Sequence, residues 1–260
     1  MRCRVCESDK LSFYYATGDL RQYKYYICDD CTAVNYDLAG GLNQEKYTES
    51  YLEPEREEHK INRNQRITFN KIAKRFPLPG RMLEIGCGNG KILLLAREAG
   101  WKVRGIELSS YYAAEITKRY GIEVDTFDFT RDSIPGAGEY DLVVMRHVFE
   151  HLPDPLGAMR KIAGLLKPGG SALMEFPNIE AFDFKLKRWM ERVGLHKKRY
   201  SKSYKPGHCN EYARRSFEEV CRRTGFELIK WETYSGKAWL NAIYSFLPVG
   251  SKARVVIRKK

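Results

Sequence analysis

The glycine-rich segment at residues 83–90, Leu-Glu-Ile-Gly-Cys-Gly-Asn-Gly, has the composition of a ligand-binding turn. Its three glycines allow the backbone to turn tightly and to approach a ligand closely. Their G-x-G-x-G spacing differs from the G-x-G-x-x-G of dinucleotide sites, in which backbone amides face a pyrophosphate. The preceding acid, Glu84, suits a ligand that carries an amine rather than a phosphate. A second acid, Glu107, ends the next apolar run and could accept hydrogen bonds from both hydroxyls of a ribose. A glycine-rich turn without a ligand is the alternative, and the two acids argue against it.

Two pairs of cysteines near the N-terminus have the spacing of a metal site: Cys3 and Cys6, and Cys28 and Cys31. The two intervening residues let both thiolates of a pair face one point, so the pairs can supply the four sulfurs of a tetrahedral zinc site. Four cysteines leave no open coordination position, which favours structural over catalytic zinc. So short a segment buries little core, and the metal would supply the missing folding energy. A disulfide pair or an iron centre is the alternative.

From Arg81 onwards, short apolar runs alternate with amphipathic helical patterns. The pattern predicts strands at residues 82–85, 102–107, 122–124, 141–145, 171–176, 226–233 and 253–257, and helices at 91–99, 111–120, 155–166 and 216–224. This order implies a parallel sheet with helices on both faces, in a doubly wound arrangement. A connecting helix over residues 61–76 precedes the sheet.

Over about residues 80–235 the chain resembles class I S-adenosylmethionine-dependent methyltransferases. Four segments carry the resemblance: residues 83–90, 103–108 (Val-Arg-Gly-Ile-Glu-Leu), 141–155 and 165–170 (Leu-Leu-Lys-Pro-Gly-Gly). The resemblance implies a Rossmann-like α/β sheet that is mostly parallel with an antiparallel last strand. It also implies S-adenosylmethionine as the methyl donor.

The resemblance further implies which residues bind the donor: Glu84, Gly86, Cys87, Gly88, Gly90, Glu107, Leu108, Asp128 and Arg146. Of these, Glu84 and the backbone at Gly86 would hold the methionine portion. Glu107 would hold the ribose, and Leu108 would pack on the adenine. Asp128 would bond the adenine amino group, while Arg146 and His147 would close over the donor.

Three histidines are candidates for acid–base catalysis: His208, His151 and His147. The segment Gly-His-Cys-Asn-Glu-Tyr at residues 207–212 is similar in position to a segment of zinc-bearing sugar C-methyltransferases, in which a Glu–His pair does acid–base work. His208 matches that histidine, whereas Gly207 replaces the glutamate. An imidazole suits the removal of a proton from an oxygen or nitrogen acceptor. Alternatively, His208 has a structural role and packs against the insertion at residues 178–210 that precedes the helix at 216–224. His147 and His151 would then be ordinary polar residues of a strand-to-helix loop.

Three regions are predicted: a zinc-binding module at residues 1–38, a linker and connecting helix at 39–79, and a methyltransferase domain at 80–260 with a lid insertion at 178–210. The module and the domain are expected to have separate cores. Within the lid, an apolar stripe should close onto the domain; it consists of Phe182, Leu186, Trp189, Met190 and Val193. Residues 178–205 hold nine Lys/Arg and three Asp/Glu, so 9 − 3 gives a net charge of +6. The lid could be a docked helix with a solvated basic face, a binder of an anionic acceptor, or a helix on an acidic membrane surface.

The net charge of +12 favours an anionic partner without identifying it. The leading hypothesis is methylation of a small acceptor: a sugar, nucleotide-sugar or glycan intermediate. The N-terminal module resembles those of sugar C-methyltransferases and of an rRNA guanine methyltransferase group, so an RNA methyltransferase is the second hypothesis. A non-catalytic binding module is the third. No signal sequence and no membrane-spanning run is apparent, so we expect a cytoplasmic protein, with peripheral contact at the inner membrane surface as a variant.

Overall fold

The computed structural model describes residues 1–42, 61, 63–76, 78–193, 195, 200–201, 204–235 and 249–260. Within these ranges the chain forms eleven strands and six α-helices. In chain order they are β1 Leu11–Thr17, β2 Tyr23–Cys28, β3 Val34–Tyr36, α1 Arg63–Arg75, β4 Arg81–Ile85, α2 Lys91–Glu98, β5 Lys102–Glu107, α3 Ser110–Tyr120, β6 Val124–Thr126, β7 Tyr140–Arg146, α4 Pro155–Leu165, β8 Leu166–Pro177, α5 Phe182–Arg192, β9 Asn210–Glu211, α6 Arg214–Thr224, β10 Phe226–Tyr234 and β11 Lys252–Lys259.

The larger sheet contains seven strands in the order β10-β11-β8-β7-β4-β5-β6. Strands β4 to β8 pair in parallel, whereas β11 is antiparallel to both of its neighbours. The prediction of a Rossmann-like, mostly parallel sheet with an antiparallel last strand is therefore confirmed. Residues 142–145 of the central strand β7 are 0% exposed, because helices and neighbouring strands cover both faces.

Capping residues place most helix ends close to the predicted positions. The side chains of Ser109 and Asp154 accept backbone hydrogen bonds at the starts of α3 and α4, and Gly121 ends α3 in the left-handed conformation. The strand predicted at residues 122–124 begins later, at Val124. The reason is that Ile122 is buried directly after the Gly121 cap, so the chain joins the sheet only after that side chain has entered the core.

The N-terminal residues form a smaller antiparallel sheet in the order β1-β2-β3-β9. Its last strand, β9, comes from the insertion at 178–210 and pairs with Val34 and Asn35 of β3. One buried apolar cluster contains Cys3, Val5, Cys28, Cys31 and Ala33. The same cluster includes residues of β7 in the larger sheet and of helix α6. The expectation of two separate cores is therefore wrong, because a strand from within the larger unit completes the N-terminal sheet.

Helix α5 lies where the lid helix was predicted, but it faces the opposite way. Phe182, Leu186, Trp189 and Val193 are exposed, with Phe182 61% and Trp189 55% accessible. The inward face instead carries Phe184, which packs against tyrosines of the N-terminal sheet. Four of the five stripe residues thus do not close onto the domain, and the fifth, Met190, is half-buried. The side of α5 that faces the protein packs against aromatic rings of β1, among them Tyr15.

Within the described part of the chain, no helix combines the length and the apolar character that crossing a bilayer requires.

Candidate functional site

A cavity of about 360 Å3 lies at the carboxyl ends of β4, β5 and β7. This is the edge of an open α/β sheet at which ligands bind. Most of the residues singled out from the sequence line it: Glu84, Gly86, Cys87, Gly88, Glu107, Leu108, Asp128, Arg146, His147 and His151. His208 and Gly90 are not among the lining residues. Gly90 instead forms the left-handed residue that begins α2, where a Cβ would lie 2.9 Å from Ile116.

Glu84 brings a buried carboxyl group to the wall of the cavity. The residue is 2% exposed, and its Oε2 atom has no hydrogen-bond partner within the part of the chain that the structure describes. Burial raises the pKa of Glu84 to about 8, although the nearby guanidinium of Arg146 opposes this shift. A buried oxygen without a partner is costly, so the site favours a ligand that presents a cationic donor to it.

Glu107 holds the glycine turn in place and also lines the cavity. Its Oε2 accepts a hydrogen bond of 2.7 Å from the backbone N–H of Gly88, and its Oε1 accepts one from that of Ser109. Each carboxylate oxygen can accept more than one hydrogen bond, so capacity for ligand hydroxyls is left. Gly88 has φ +51 with open space where a Cβ would point, which suits close approach of a ligand to its backbone.

Asp128 lines the same cavity, with its carboxylate partly engaged. Its Oδ1 accepts hydrogen bonds from the backbone N–H and the hydroxyl of Thr130. Several further lining residues were not identified from the sequence, among them Tyr112, Val148, Leu152 and Gly207. Tyr112 could have been found, because it lies in the first turn of the helix that follows Glu107. The others gave no local signal.

Arg146 is fixed behind the cavity by a buried ionic network. Its Nε donates to Glu175, which is 0% exposed and also accepts hydrogen bonds from Arg254 and Thr68. Burial raises the pKa of Glu175, but the guanidinium groups of Arg146 and Arg254 outweigh this effect and lower it to about 2. The next residue, His147, has φ +55 and donates its backbone N–H to the Glu175 carbonyl. A left-handed conformation is unfavourable for a residue with a Cβ, and such outliers concentrate at functional sites.

The histidines gather around a buried acid, Glu150. The ring nitrogens of His147 and His151 lie 3.5 and 3.9 Å from its Oε1. Burial raises the pKa of Glu150, but the neighbouring histidines outweigh this and lower it. His151 Nδ1 lies 2.8 Å from the carbonyl of Gly207, so this nitrogen must be the protonated one, and burial lowers the pKa of His151. The His208 ring packs edge-on at 4.8 Å from the His151 ring, just outside the cavity lining.

The strip of residues 207–211, which carries His208, is held from both sides. On the cavity side, Cys209 N–H donates to the Glu150 carbonyl and Asn210 Nδ2 to the Leu152 carbonyl. On the other side, Arg4 donates to Asn210 Oδ1 at 2.8 Å and to the Cys209 carbonyl at 2.6 Å. Because Arg4 lies between Cys3 and Cys6, the predicted metal-binding turn directly supports this strip.

The four N-terminal cysteines are brought together as their spacing predicts. The Sγ–Sγ distances are 3.5 Å for Cys3 and Cys31 and 3.4 Å for Cys6 and Cys28, and none of the four forms a disulfide. All four sulfurs lie within 4.8 Å of one another, which is a spacing that could hold a metal ion. Glu150, His151 and His208 are the other such group in the described residues.

Comparison with known proteins identifies the family. A family model for a methyltransferase domain matches residues 57–230, which is well over half of the chain. The chain belongs to this methyltransferase family. Among its curated relatives is a ubiquinone biosynthesis O-methyltransferase of Xanthomonas campestris pv. campestris, which is 30% identical over 132 residues, covering 48% of this chain and 54% of that protein. One of the same name from Bordetella avium is 35% identical over 97 residues, covering 35% and 39%. The chain thus spans about half the length of the curated relatives it matches.

Solved structures of methyltransferases share the fold. An S-adenosylmethionine-dependent methyltransferase from Mesorhizobium loti matches with a TM-score of 0.54 at 19% identity, over 74% of this chain and 98% of that one. One from Archaeoglobus fulgidus matches with a TM-score of 0.50 at 18% identity, over 75% and 94%. The predicted class I methyltransferase fold is confirmed. The curated relatives named here are ubiquinone O-methyltransferases and do not support the predicted sugar or RNA specificity.

Glu84 makes stability depend on pH in a defined direction. Its folded-state pKa lies above the ordinary value, so the stability it contributes is present at low pH and is lost as the pH rises towards about 8. Between about pH 5 and 8, Glu84 should reduce the free energy of unfolding by up to about 1.4 kcal/mol per pH unit. Urea unfolding over this range should show a shallower decline for Glu84→Gln. Glu98→Gln, at an exposed glutamate, should keep the wild-type slope, and equal slopes for Glu84→Gln and wild type would contradict the assignment.

Proposed function

We propose that the protein is an S-adenosylmethionine-dependent methyltransferase that methylates a hydroxyl oxygen of a small molecule. The observation that carries the proposal is the unpartnered, buried Glu84 oxygen beside an open glycine turn and Glu107, in one cavity. Family membership supports the reaction class. The names of the relatives, which are O-methyltransferases, support an oxygen acceptor. Sugars and nucleotide-sugars also carry hydroxyl groups and remain members of the proposed acceptor class.

Different residues of the cavity would bind different parts of the donor. Glu84 would receive its amino group, and the carboxylate of Glu107 would receive its ribose hydroxyls. Leu108, which is 39% exposed at the cavity wall, offers an apolar surface to the adenine. The bound donor would supply a methyl group activated by a positively charged sulfur. The protein would align the acceptor with that methyl group and exclude water.

Donor binding tests the assignment of Glu107. Glu107→Ala should weaken S-adenosylmethionine binding by about 1–3 kcal/mol, because hydrogen bonds to a charged group are lost. Calorimetry measures the affinity, and Glu123→Ala, at a largely exposed glutamate after α3, serves as the control. Unchanged affinity in Glu107→Ala would overturn the assignment of this residue to the ribose.

Proton removal from the acceptor falls to the histidine pair in this proposal. His151 lines the cavity, its Nδ1 donates to the Gly207 carbonyl, and Nε2 is therefore the acceptor nitrogen of the neutral ring. Its lowered pKa keeps the ring neutral near pH 7. We therefore assign the general base to His151 and place His208, the residue favoured by the sequence, beside it as the positioning group. The edge contact between the two rings lets His208 hold the His151 ring in place.

Turnover with a hydroxyl-bearing acceptor tests this division. His151→Asn should lower kcat by about 10²–10⁴-fold, as expected for loss of a general base, while donor affinity is retained. His208→Asn should have a smaller effect, because that residue only positions His151. The wild-type kcat should fall as the pH drops through the lowered His151 pKa. A larger loss in His208→Asn would return the base to His208, and small losses in both would leave catalysis to alignment alone.

A structural zinc ion is proposed for the cysteine cluster. Tetrahedral Zn–S bonds of about 2.3 Å place sulfurs about 3.8 Å apart, close to the 3.4 and 3.5 Å contacts seen here. The amide of Asn35 lies 3.7 Å from Cys3 Sγ and would support the thiolate charge. With four thiolates, this ion would stabilise the fold and take no part in methyl transfer.

The shared core determines what metal removal should do. Purified protein should contain about one zinc ion per chain by elemental analysis. Chelation should lower the melting temperature of the whole protein in a single transition, because the cysteine turns and α6 belong to one buried cluster. Cys221→Ser, which alters a buried cysteine outside the site, should retain the metal. An absence of zinc, or iron in its place, would overturn the assignment.

A second candidate property is contact with an acidic membrane surface. The observation that favours it is the exposed apolar stripe of α5, with Lys185 and Lys187 exposed on the same helix. In sedimentation assays, a larger fraction of the protein should therefore be retained in the pellet with vesicles containing phosphatidylglycerol than with neutral vesicles. Trp189→Ser should reduce this retention. Leu20→Ser, at an exposed leucine that is far from α5 in sequence, should not. Equal sedimentation of Trp189→Ser and wild type would exclude this surface.

A further inference from the structure

Helix α5 contacts the N-terminal sheet through an arginine enclosed by aromatic rings. The guanidinium carbon of Arg188 lies 3.7 Å from the ring centroid of Tyr14, 4.0 Å from that of Phe184 and 4.4 Å from that of Tyr15. The Arg188 side chain is only 11% exposed. Cation–π contacts on several faces hold this charge in place, but they provide no hydrogen-bond acceptor in the plane of the guanidinium.

The hydrogen-bonding capacity of this pair is unused. Nη1 and Nη2 of Arg188 and Oε2 of Glu211 are all buried without a hydrogen-bond partner among the described residues. Glu211 is 8% exposed, and the Nη2–Oε2 distance is 3.9 Å, about 1 Å too long for a direct hydrogen bond. The other oxygen of Glu211 is engaged, because it accepts a 2.8 Å hydrogen bond from the Tyr15 hydroxyl. The two charges form an ion pair at this distance, but buried charged groups that lack hydrogen bonds remain costly unless a further group supplies them.

The chemistry of the missing group follows from its two neighbours. An anion would be attracted by Arg188 but repelled by Glu211, and a cation would be repelled by Arg188. A gap of 3.9 Å lets a single heavy atom contact both side chains. A hydroxyl oxygen is such an atom, because it accepts a hydrogen bond from the guanidinium and donates one to the carboxylate. This pair therefore selects a neutral hydroxyl, and not the phosphorylated or acidic group that the basic charge of the lid suggests.

The pair also lies next to the proposed site of methyl transfer. Glu211 Oε1 is 4.0 Å from Nδ1 of His208, whose ring packs on His151 at the cavity wall. Gly207, which immediately precedes His208, lines the cavity itself. A small acceptor that reaches past His208 can thus place one hydroxyl at the cavity and another between Arg188 and Glu211.

We propose that Arg188 and Glu211 form a recognition subsite for a second, unreacting hydroxyl group of the methyl acceptor. The proposal rests on the proposed function and names its substrate class: a molecule that carries at least two hydroxyls, such as a dihydroxybenzene or a polyol. The aromatic rings of Tyr14, Tyr15 and Phe184 hold the guanidinium in a fixed orientation. Discrimination then comes from the hydrogen bonds, because an acceptor without the second hydroxyl leaves Arg188 and Glu211 without them.

Access to the subsite requires a small displacement of α5. In the structure the three unpartnered atoms are shielded from solvent. The helix is held on its inner side by Phe184 and Arg188. Met190 is half-buried, while Phe182, Leu186 and Trp189 are exposed. An outward shift of the helix would break the contacts of Phe184 and Arg188, and the hydroxyl that enters would stabilise the closed position with two charge-assisted hydrogen bonds.

Binding of matched small probes tests the subsite. The probes are catechol, resorcinol and hydroquinone, each compared with its monomethyl ether, which lacks the second hydroxyl. Calorimetry is performed on the full chain with S-adenosylhomocysteine present. For at least one pair, wild type should bind the probe with the free hydroxyl about 10- to 100-fold more tightly. Arg188→Met and Glu211→Gln should each reduce this preference to within about 3-fold. Lys187→Met, at the exposed neighbour of Arg188, should leave it unchanged.

Each outcome separates the subsite from the methyltransferase assignment. Calorimetric titration of S-adenosylmethionine is run on every variant, and thermal melting confirms that each is folded. If wild type does not bind the donor, the proposed function fails whatever the probes show. If the donor binds but no probe pair is distinguished, or if the preference survives in Glu211→Gln, the subsite is overturned, and a bridging water satisfies Arg188 and Glu211 instead. The two substitutions act on opposite partners, so a folding defect in one leaves the other decisive.

Discussion

The pairing of one short strip, residues 207–211, with both of its neighbours determines how the rest of the molecule is assembled. On one side the strip is bonded to the loop after β7, at the Glu150 and Leu152 carbonyls. On the other side it adds strand β9 to the N-terminal sheet and receives the guanidinium of Arg4. Backbone groups buried at such a junction must be paired, so neither neighbour can shift alone. The cavity wall, the histidine pair and the cysteine turns therefore occupy fixed positions relative to one another.

Three buried glutamates around the cavity show how environment sets charge. Glu84 has one nearby counter-charge, Arg146, which does not hydrogen-bond to its unpartnered oxygen, and burial raises its pKa. Glu175 is equally buried, but two guanidinium groups bond to it and keep it ionised. Burial raises the pKa of Glu150 as well, but its histidine neighbours, first of all His147 through a hydrogen bond, outweigh this effect and lower it. A residue type alone cannot distinguish a ligand-binding acid from a structural one, whereas the number of donors around each carboxylate does so directly.

Local patterns predicted the larger sheet well and the joints between elements poorly. The strand at Lys102–Glu107 and the ends of α4 followed from apolar runs and capping residues, because burial on a sheet imposes a period that sequence displays. The cysteine cluster was also predictable, since its chemistry depends on short spacings. Strand β9 has two residues and no period, so nothing local indicated its partner. Likewise, the sequence alone does not distinguish Arg188 from the other basic residues of this helix, which would be expected at the surface. Its inward position depends on Tyr14 and Tyr15, which are far away in sequence.

The way in which β9 completes the N-terminal sheet limits how this architecture can be recombined. Modules at chain ends are usually regarded as exchangeable cassettes, joined to a catalytic unit by a linker. Here three of the four strands of the small sheet come from the N-terminus, but the fourth lies more than half a chain away, next to the histidine pair. A chimera that replaced residues 1–42 alone would leave an open sheet edge and an unpaired strip at the cavity. Any grafted N-terminal segment would have to bring the matching 207–215 segment with it. The two segments can therefore be exchanged only together, although they are far apart along the chain.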